Sequence, residues 1–323
     1  MGDMNLIQSF IEDYKSKSKT ITLRTSGSTG ESKVFDVEKH RLKNSALRTL
    51  NYFNLRSGDK VLMCMSPLYI GGKMMLVRAL EGGLELLLGP VTAQPLKEIN
   101  KVIDFVAMVP LQFKASSLED LNQCKQILLG GAPVDQECLH KVKQLSNSVV
   151  YESFGMTETL SHFAIKNLSN GDLQFTCLEG VNIRTNNNSC LEVFMEGVTD
   201  GYIITKDIVS IVDNRFEWKG RFDFLINSGG VKIIPEELEQ SIRRYTNSIK
   251  DSNFFLAGIS DTVLGQKMIL VVEGEEKDLT NVLSHLEKAF GAYKVPKSIH
   301  FINEFRWTKS GKIDRLNTLK LIK

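Results

Sequence analysis

The 323-residue chain has few of the side chains that build metal centres or disulfide frameworks. Its five cysteines are odd in number and widely spaced, without a Cys-x-x-Cys pair, and its five histidines are dispersed. Structural metal centres need ligands at short, regular spacings, so a Cys- or His-built centre is excluded as the basis of function. Scattered cysteines are also typical of a reduced compartment, and we expect a cytoplasmic protein.

Long apolar and long basic stretches are missing as well. No run approaches about 18 consecutive apolar residues, so no membrane span is expected. Residues Met1–Asn5 carry an early acid instead of the basic-then-apolar order of a signal peptide. The net charge is only +2 and the basic residues are scattered, which gives no indication of nucleic-acid binding.

Short apolar runs alternate with helical or turn-rich sequence in the first half of the chain. Examples are Val61–Met65, Phe105–Met108 and Gln126–Leu129, which have the continuous apolar character of buried strands. Strands that alternate with helices predict an α/β fold with a mostly parallel sheet. Apolar residues at helical spacing predict helices over 3–17, 38–53, 73–80 and 278–290. Pro235 followed by two acids predicts the start of a further helix over 235–245.

The pattern changes twice further along the chain. From about residue 172 to 217, short alternating segments separated by Asn, Gly and Asp predict antiparallel strands in a small β-barrel-like part, among them Tyr202–Thr205 and Ile208–Val212. After Gly220, apolar runs flanked by predicted helices indicate a small α+β unit. We therefore expect an N-terminal domain over residues 1–222 and a C-terminal domain over residues 223–323.

A loop of glycine and hydroxyl residues follows a predicted strand at Thr20–Arg24. Residues 25–33 read Thr-Ser-Gly-Ser-Thr-Gly-Glu-Ser-Lys. Glycines let backbone N–H groups approach a ligand, and hydroxyls and lysine can donate to phosphate oxygens. A flexible surface linker has the same composition, so both interpretations stay open for the loop alone. It is not a Walker A loop, because its two glycines are three positions apart and valine follows the lysine.

Six further segments accompany this loop in chain order. They are Gly130–Pro133, Tyr151–Glu158, Asp207, Gly220–Asp223, Ser228–Lys232 and Ser310–Arg315. Together with the loop they resemble the motifs of the adenylate-forming superfamily of acyl-CoA synthetases, luciferases and peptide-synthetase adenylation domains. The resemblance covers nearly the whole chain, and it implies ATP and CoA as co-substrates and Mg²⁺ as cofactor. It also implies a large N-terminal domain followed by a small C-terminal domain on a hinge.

The resemblance assigns nucleotide contacts to several of these segments. The first loop is expected to hold the β- and γ-phosphates of ATP, and the later segments the adenine and ribose. The residues implied are Thr25, Ser26, Gly27, Ser28, Thr29, Gly30, Lys33, Gly131, Ala132, Pro133, Glu152, Phe154, Gly155, Asp207 and Arg221. Asp207 could accept from both ribose hydroxyls, although an isolated aspartate more commonly lies in a turn.

Three residues are expected to carry the chemistry. Thr157 and Glu158 place a hydroxyl beside a carboxylate, which suits a phosphate oxygen and Mg²⁺, although such pairs also cap helices. Lys312 resembles the family's catalytic lysine, whose ammonium stabilises charge on the phosphate oxygens in the transition state. By composition alone it could be a solvated lysine in a basic tail.

A second half-reaction is implied by the same resemblance. After the acyl-adenylate forms, the C-terminal domain is expected to rotate about the hinge at Asp223. This rotation would withdraw Lys312 and bring Ser228, Gly229 and Gly230 beside the CoA thiol arm. The alternative for the two glycines is a plain hairpin turn.

The segments Ser66–Arg78 and Met156–His162 resemble o-succinylbenzoate–CoA ligases of menaquinone synthesis. That substrate has two carboxylates: one reacts, and the other needs a cationic or hydrogen-bonding anchor. The substrate candidates are Tyr69, Gly72, Lys73, Arg78, Ser161 and His162. Lys73 and Arg78 could instead be helix-surface residues, and Arg78 could pair with Glu81.

Two departures from the family pattern leave alternatives open. Only 24 residues precede the phosphate-loop candidate, so the first N-terminal subdomain is expected to be truncated, and a homodimer could cover the exposed sheet. The family's Thr-Gly-Asp is Thr205-Lys206-Asp207 here, and lysine makes a turn less easily than glycine.

The rival functions are a CoA ligase for another aromatic or acyl acid and a non-catalytic adenylate-binding remnant.

Overall fold

The computed structural model describes residues 2–24, 34–245, 249, 252–308 and 313–322. The phosphate-loop candidate at residues 25–33 and Lys312 lie outside the described residues. The chain divides into two compact units: Met1–Ile183 with Glu192–Ile203 and Val212–Phe216, and Arg184–Leu191 with Ile204–Ile211 and Glu217–Lys323. The expected domain boundary at residues 222 and 223 stays a prediction.

The described residues form α-helices and β-strands in alternation. The helices are α1 Gly2–Lys15, α2 Lys39–Tyr52, α3 Ile70–Gly82, α4 Pro110–Ala115, α5 Leu118–Leu121, α6 Gln136–Val142, α7 Pro235–Tyr245, α8 Thr280–Phe290 and α9 Arg315–Leu319. The strands are β1 Thr20–Arg24, β2 Val34–Glu38, β3 Lys60–Met63, β4 Glu85–Leu88, β5 Ile103–Met108, β6 Cys124–Leu129, β7 Val149–Met156, β8 Ser161–Asn167, β9 Phe175–Cys177, β10 Val181–Thr185, β11 Cys190–Met195, β12 Ile203–Val212, β13 Arg215–Arg221, β14 Ile226–Ser228, β15 Val231–Ile233, β16 Phe254–Asp261, β17 Gly265–Glu273 and β18 Ser298–Ile302.

The larger sheet confirms the expected α/β architecture. Its order is β10-β11-β12-β13-β9-β8-β7-β6-β5-β3-β4. The pairs from β4 through β3, β5 and β6 to β7 are parallel, whereas β8 pairs antiparallel with both β7 and β9. Parallel strands end at the same edge of a sheet, so the segments that follow β3, β5, β6 and β7 share one edge. Of the predicted site residues, Tyr69, Gly131–Pro133, Thr157 and Glu158 lie in these segments.

The second unit has its own sheet and core. Strands β15-β14-β17-β16 are neighbours in that order, and β18 pairs parallel with β17. Leu238 and Ile242 of α7 and Leu286 of α8 pack with Phe254 and Leu270 of the sheet in one buried cluster. The helices predicted over 38–53, 235–245 and 278–290 are confirmed by α2, α7 and α8.

One stretch differs from its predicted structure. The sequence predicts separate strands at Tyr202–Thr205 and Ile208–Val212, but β12 runs without interruption through both. Thr205 and Asp207 are buried while Lys206 between them is exposed. This alternation is that of a strand, so lysine replaces the family's glycine without having to make a turn.

No helix in the described part of the chain is both long and apolar enough to cross a lipid bilayer. All five cysteines are described, and each is a buried free thiol. Among the described residues no group of three or more Cys, His, Asp or Glu side chains could hold a metal ion.

Candidate active site

The turn that follows β6 lies against β7. Gly131 has a φ of +80°, which glycine adopts without steric cost. The Val134 N–H donates to Glu152 Oε1 at 3.4 Å, and Glu152 Oε2 forms a 2.6 Å ion pair with Lys166. The structure thus brings the predicted adenine-side turn, Gly131–Pro133, beside Glu152. Glu152 thus pairs with Lys166 and also accepts a hydrogen bond from the end of the turn.

The Gly-x-Thr-Glu motif forms the connection between β7 and β8. A single 3₁₀ turn covers Thr157–Thr159, and Thr159 Oγ1 caps it by accepting from the Met156 N–H at 2.9 Å. Thr157 and Glu158 therefore do not serve as the capping pair. Glu158 is exposed and forms no ion pair with any described residue. Its carboxylate is free to act as a ligand, and oxygen ligands suit Mg²⁺.

The side chain of Phe154 lies away from this connection. Its ring packs against Phe163, Phe175 and Phe216, with ring centroids 5.1 to 5.7 Å apart. The ring therefore belongs to the aromatic core of the first unit. What Phe154 can offer a nucleotide is its backbone.

Backbone strain is concentrated directly after the 3₁₀ turn. Leu160 has a φ of +51° and Ser161 a φ of +107°, values that cost residues with a side chain on the order of 1–3 kcal/mol each. Gly155 faces them across the hairpin, where a Cβ would lie 2.2 Å from the Ser161 carbonyl oxygen. The glycine of the motif is thus required by the close approach of the two strands, and it lets Ser161 take its unusual position.

Arg78 lies in the interior of the first unit. Only 2% of it is exposed, although α3 was open to interpretation as a surface helix. Its Nη2 donates to Ser161 Oγ at 2.9 Å, and its Nε has no hydrogen-bond partner in the described part of the chain. No carboxylate of a described residue pairs with it. The suggested partner Glu81 pairs instead with Lys43 at 3.0 Å, so both structural alternatives for Arg78 are wrong.

A chain of polar groups continues inward from Arg78. Ser161 Oγ lies 3.2 Å from His162 Nδ1, and His162 Nε2 lies 3.3 Å from Thr49 Oγ1. Burial, reinforced by the nearby Arg78 charge, lowers the pKa of His162 well below its usual value. The imidazole is therefore neutral: Nδ1 accepts from the Ser161 hydroxyl, and Nε2 donates to Thr49. Among these four described side chains, Arg78, Ser161, His162 and Thr49, the guanidinium is the only cation.

Desolvation sets the electrostatic state of Arg78. Burial lowers the pKa of the guanidinium to about 9, since no neighbouring anion compensates the charge. A buried, unpaired cation is costly and is therefore rare in a protein core. An anion that reached the guanidinium would restore part of the lost solvation, and the half-buried Ser161 is the more exposed member of the pair.

The remaining substrate candidates lie in different surroundings. Lys73 Nζ is 5.7 Å from the ring centroid of Phe10 on α1, while Tyr69 is half exposed at the start of α3. Gly72 has a packing role, because a Cβ there would lie 2.3 Å from the Ser66 carbonyl oxygen. Of the six candidates, the structure therefore brings together Arg78, Ser161 and His162.

In the second unit, three predicted residues form one cluster. Arg221 Nη1 lies 3.5 Å from Asp207 Oδ1, and Arg221 Nη2 donates to Asp223 Oδ2 at 3.2 Å. Lys206 Nζ forms a 2.8 Å ion pair with Asp223 Oδ1. These two cations, with Lys206 the stronger, lower the pKa of Asp223 despite the opposing effect of desolvation. The predicted ribose and hinge aspartates thus share one arginine.

The predicted CoA-side segment is a tight hairpin. Ser228 of β14 pairs with Val231 of β15, and Gly229 and Gly230 have φ values of +57° and +81°. Two consecutive residues with positive φ are typical of a type I′ turn, for which glycine is favoured. The hairpin alternative is therefore the observed local structure, and a role beside CoA stays a prediction.

Two residues of the second unit escaped the sequence analysis. Trp218 donates its Nε1–H to Asp207 Oδ1 at 3.0 Å, and Glu236 Oε1 accepts from the Arg221 N–H at 3.3 Å. Neither residue belongs to a motif, and each contact joins positions more than ten residues apart. Glu236 was one of the residues that predicted the start of α7. It was considered there only as an acid that is favourable at a helix N-terminus, without a contact to Arg221.

Glu236 provides a prediction about pH. Burial, reinforced by the nearby charge of Glu239, raises the pKa of Glu236 from 4.5 to about 7. The folded protein therefore keeps this proton to higher pH than the unfolded chain, and the stability it contributes is lost as pH rises through about 7. Between about pH 5 and about pH 8, the wild type should lose on the order of 3 kcal/mol relative to Glu236→Gln in denaturant titrations.

The neighbouring variant Glu237→Gln is the matched control. Glu237 lies in the same helical turn but is more exposed than Glu236. Its pH dependence of unfolding should follow the wild type. Parallel curves for the wild type and Glu236→Gln would show that Glu236 is not protonated in the folded state.

Comparisons with known proteins agree with this geometry. Residues 20–185 match the sequence family described as AMP-binding enzyme. The chain is 24% identical to the 2-succinylbenzoate–CoA ligase of Bacillus cytotoxicus, over 96% of this chain and 72% of that protein. It is 26% identical to the 2-succinylbenzoate–CoA ligase of Staphylococcus epidermidis, over 94% of this chain and 71% of that protein.

Solved structures show the same likeness. The crystal structure of an acyl-CoA synthetase (AMP-forming)/AMP-acid ligase II-like protein from Dyadobacter fermentans aligns with a TM-score of 0.66 and 34% identity, covering 98% of this chain and 94% of that one. The o-succinylbenzoate coenzyme A synthetase of Bacillus subtilis, in complex with ATP and magnesium ion, aligns with a TM-score of 0.79. Its identity is 19%, with 92% of this chain and 69% of that chain covered, so this likeness concerns the fold alone.

Proposed function

The chain belongs to the family of AMP-binding enzymes, and we propose that it is an ATP-dependent ligase that joins o-succinylbenzoate to CoA. In the first half-reaction a carboxylate oxygen of the acid attacks the α-phosphorus of ATP, and pyrophosphate leaves. In the second, the CoA sulfur attacks the acyl carbon of the adenylate, AMP leaves, and the thiol proton is released. The curated relatives in Bacillus cytotoxicus and Staphylococcus epidermidis bear the name of this activity.

The observation that carries the choice of acid is the buried guanidinium of Arg78. O-succinylbenzoate has a second carboxylate that does not react, and this anion can supply the charge that Arg78 lacks among the described residues. Charge-assisted hydrogen bonds from a guanidinium are strong, and they are stronger still away from water. Ser161 contributes a hydroxyl at the same place. A ligase for a simple monocarboxylic acid would have no use for this uncompensated cation.

Nucleotide-binding roles are proposed residue by residue. The exposed Glu158 and the partly exposed Thr157 supply oxygen atoms that fit Mg²⁺, and the metal, when bound, would neutralise charge on the phosphates. The turn Gly131–Pro133 offers backbone to the adenine. Asp207 has a carboxylate suited to the two ribose hydroxyls, and Arg221 is its neighbour.

CoA transfer is assigned to the second unit. The hairpin at Ser228–Val231 offers a glycine turn without side-chain bulk, where the thiol arm can lie against backbone. Asp223 is the proposed hinge residue, and Lys206 and Arg221 hold its carboxylate in the conformation described. The substrates are therefore a dicarboxylic acid, ATP and CoA.

An acid-dependent ATP–pyrophosphate exchange assay tests this proposal. With Mg²⁺, labelled pyrophosphate should enter ATP when o-succinylbenzoate is supplied, and much less when benzoate or a fatty acid is supplied. Exchange with those acids but none with o-succinylbenzoate would contradict the choice of acid. Nucleotide binding without exchange for any acid would support a non-catalytic protein instead.

A further inference from the structure

The carboxylate of Asp207 is held by a tryptophan. Only 7% of Asp207 is exposed, so its charge depends on donors from the protein. Trp218, on β13, donates its indole Nε1–H to Asp207 Oδ1 at 3.0 Å. The only other side chain of the described residues near this oxygen is Arg221, with Nη1 at 3.5 Å.

The indole is the better of the two donors for fixing the carboxylate. Its hydrogen bond to Asp207 is shorter than that of Arg221. The tryptophan side chain has only two torsions, and its indole N–H can donate but not accept a hydrogen bond. Arg221 is at the limit of hydrogen-bond distance, and its second terminal nitrogen is engaged with Asp223. Within the described part of the chain, Asp207 Oδ2 has no donor. The indole thus fixes one oxygen and leaves the other for a ligand.

We propose that Trp218 is a positioning residue for the nucleotide. It orients the Asp207 carboxylate so that Oδ2 meets the ribose hydroxyls, and it does so without touching the nucleotide. The inference rests on the proposed function, in which Asp207 binds the ribose. Because the Asp207 carboxylate is already ordered before ATP binds, less conformational entropy is lost on binding.

Calorimetric titration with two nucleotides tests this role. Mg²⁺–ATP and Mg²⁺–2′,3′-dideoxy-ATP are titrated into the wild type, Trp218→Phe and Trp307→Phe. Trp218→Phe keeps an aromatic ring but removes the N–H, so its Kd for ATP should rise roughly tenfold. Its Kd for the dideoxy nucleotide should stay that of the wild type, because that ligand has no hydroxyl for Asp207. Trp307, the second tryptophan of the chain, is about half exposed, and its variant should match the wild type with both nucleotides.

A double variant separates positioning from packing. Asp207→Ala and Asp207→Ala combined with Trp218→Phe should bind ATP equally, since no carboxylate is left to orient. An equal loss of ATP and dideoxy-ATP affinity in Trp218→Phe would overturn the inference, as would an unchanged affinity for ATP. If the wild type bound ATP no better than dideoxy-ATP, the assignment of Asp207 to the ribose would fail, and this inference with it. A wild type that binds neither nucleotide would contradict the proposed function itself.

Discussion

Replacement of Lys312 with alanine should lower the rate of acyl-adenylate formation by about 10²–10³-fold, the usual effect of removing one group that stabilises transition-state charge. The variant should still convert supplied o-succinylbenzoyl-adenylate to the CoA thioester at close to the wild-type rate. The reason is the division of labour proposed for this family of ligases: the lysine acts on the α-phosphate only in the first half-reaction. Pyrophosphate exchange measures the first step, and thioester formation from synthetic adenylate measures the second.

Lys320→Ala is the matched control for this experiment. Lys320 lies in the same basic C-terminal stretch, and its Nζ donates to Asn317 Oδ1 at 2.8 Å near the surface. Both half-reactions should proceed normally in this variant. Equal loss of both half-reactions in Lys312→Ala would contradict the division of labour, and no loss in either would make Lys312 a solvated lysine of the tail.

Replacement of Arg78 with methionine should raise the KM for o-succinylbenzoate on the order of 10²-fold, because truncating one partner of a buried charge pair costs about 2–5 kcal/mol. The KM for ATP should stay unchanged. The wild type should also discriminate strongly against 4-oxo-4-phenylbutanoate, which lacks the ring carboxylate, whereas the variant should accept both acids about equally. Steady-state kinetics with the two acids measure this loss of discrimination.

Arg78→Met has a second expected effect, on stability. The wild-type side chain is buried without an anion, and methionine fills a similar volume without a charge. The free energy of unfolding of the ligand-free variant should therefore rise by about 1–4 kcal/mol. Arg56→Met is the control, since Arg56 is exposed and should change neither property.

A large drop in stability together with equal losses for the acid and ATP would show that Arg78 serves the core and does not bind substrate. Gain of stability with loss of acid binding is the combination expected of a side chain kept for function.

Much of the framework could be predicted from local sequence patterns. The continuous apolar runs at β3, β5 and β6 indicated buried parallel strands, and α2 follows its apolar periodicity to within one residue at each end. Both patterns are governed by neighbours along the chain, so a single sequence contains them. The Gly-x-Thr-Glu motif at Gly155–Glu158 was predicted as a turn. Its first residue is glycine because the opposing strand leaves no room for a Cβ.

The burial of Arg78 could have been predicted from the residues around it in the sequence. Residues Met74–Ala79 are apolar except for this arginine, and a helix that is apolar on all sides is buried. Arg78 and Lys73 were expected as a possible pair on the surface of one helix, whereas the structure places their charged groups in different surroundings. Its partner Ser161 is far along the chain, and the pairing arises from tertiary packing.

The cluster around Asp207 could not be predicted from local patterns. Asp207 lies on β12 and Trp218 on β13, and only the pairing of these strands brings the indole N–H to the carboxylate. Lys206 was a departure from a family motif, and its ion pair with Asp223 gives that departure a physical role. The pKa of Glu236 likewise depends on burial by residues that are not its neighbours in sequence.

In the proposed function, this chain makes a CoA thioester through an adenylate. The most direct measurement of this reaction is the analysis of products after incubation of the purified chain with ATP, Mg²⁺, CoA and o-succinylbenzoate. The expected products are AMP, pyrophosphate and o-succinylbenzoyl-CoA in equal amounts, with no product when the acid is omitted. Release of ADP and phosphate, or the absence of any thioester while ATP is bound, would contradict the proposed function.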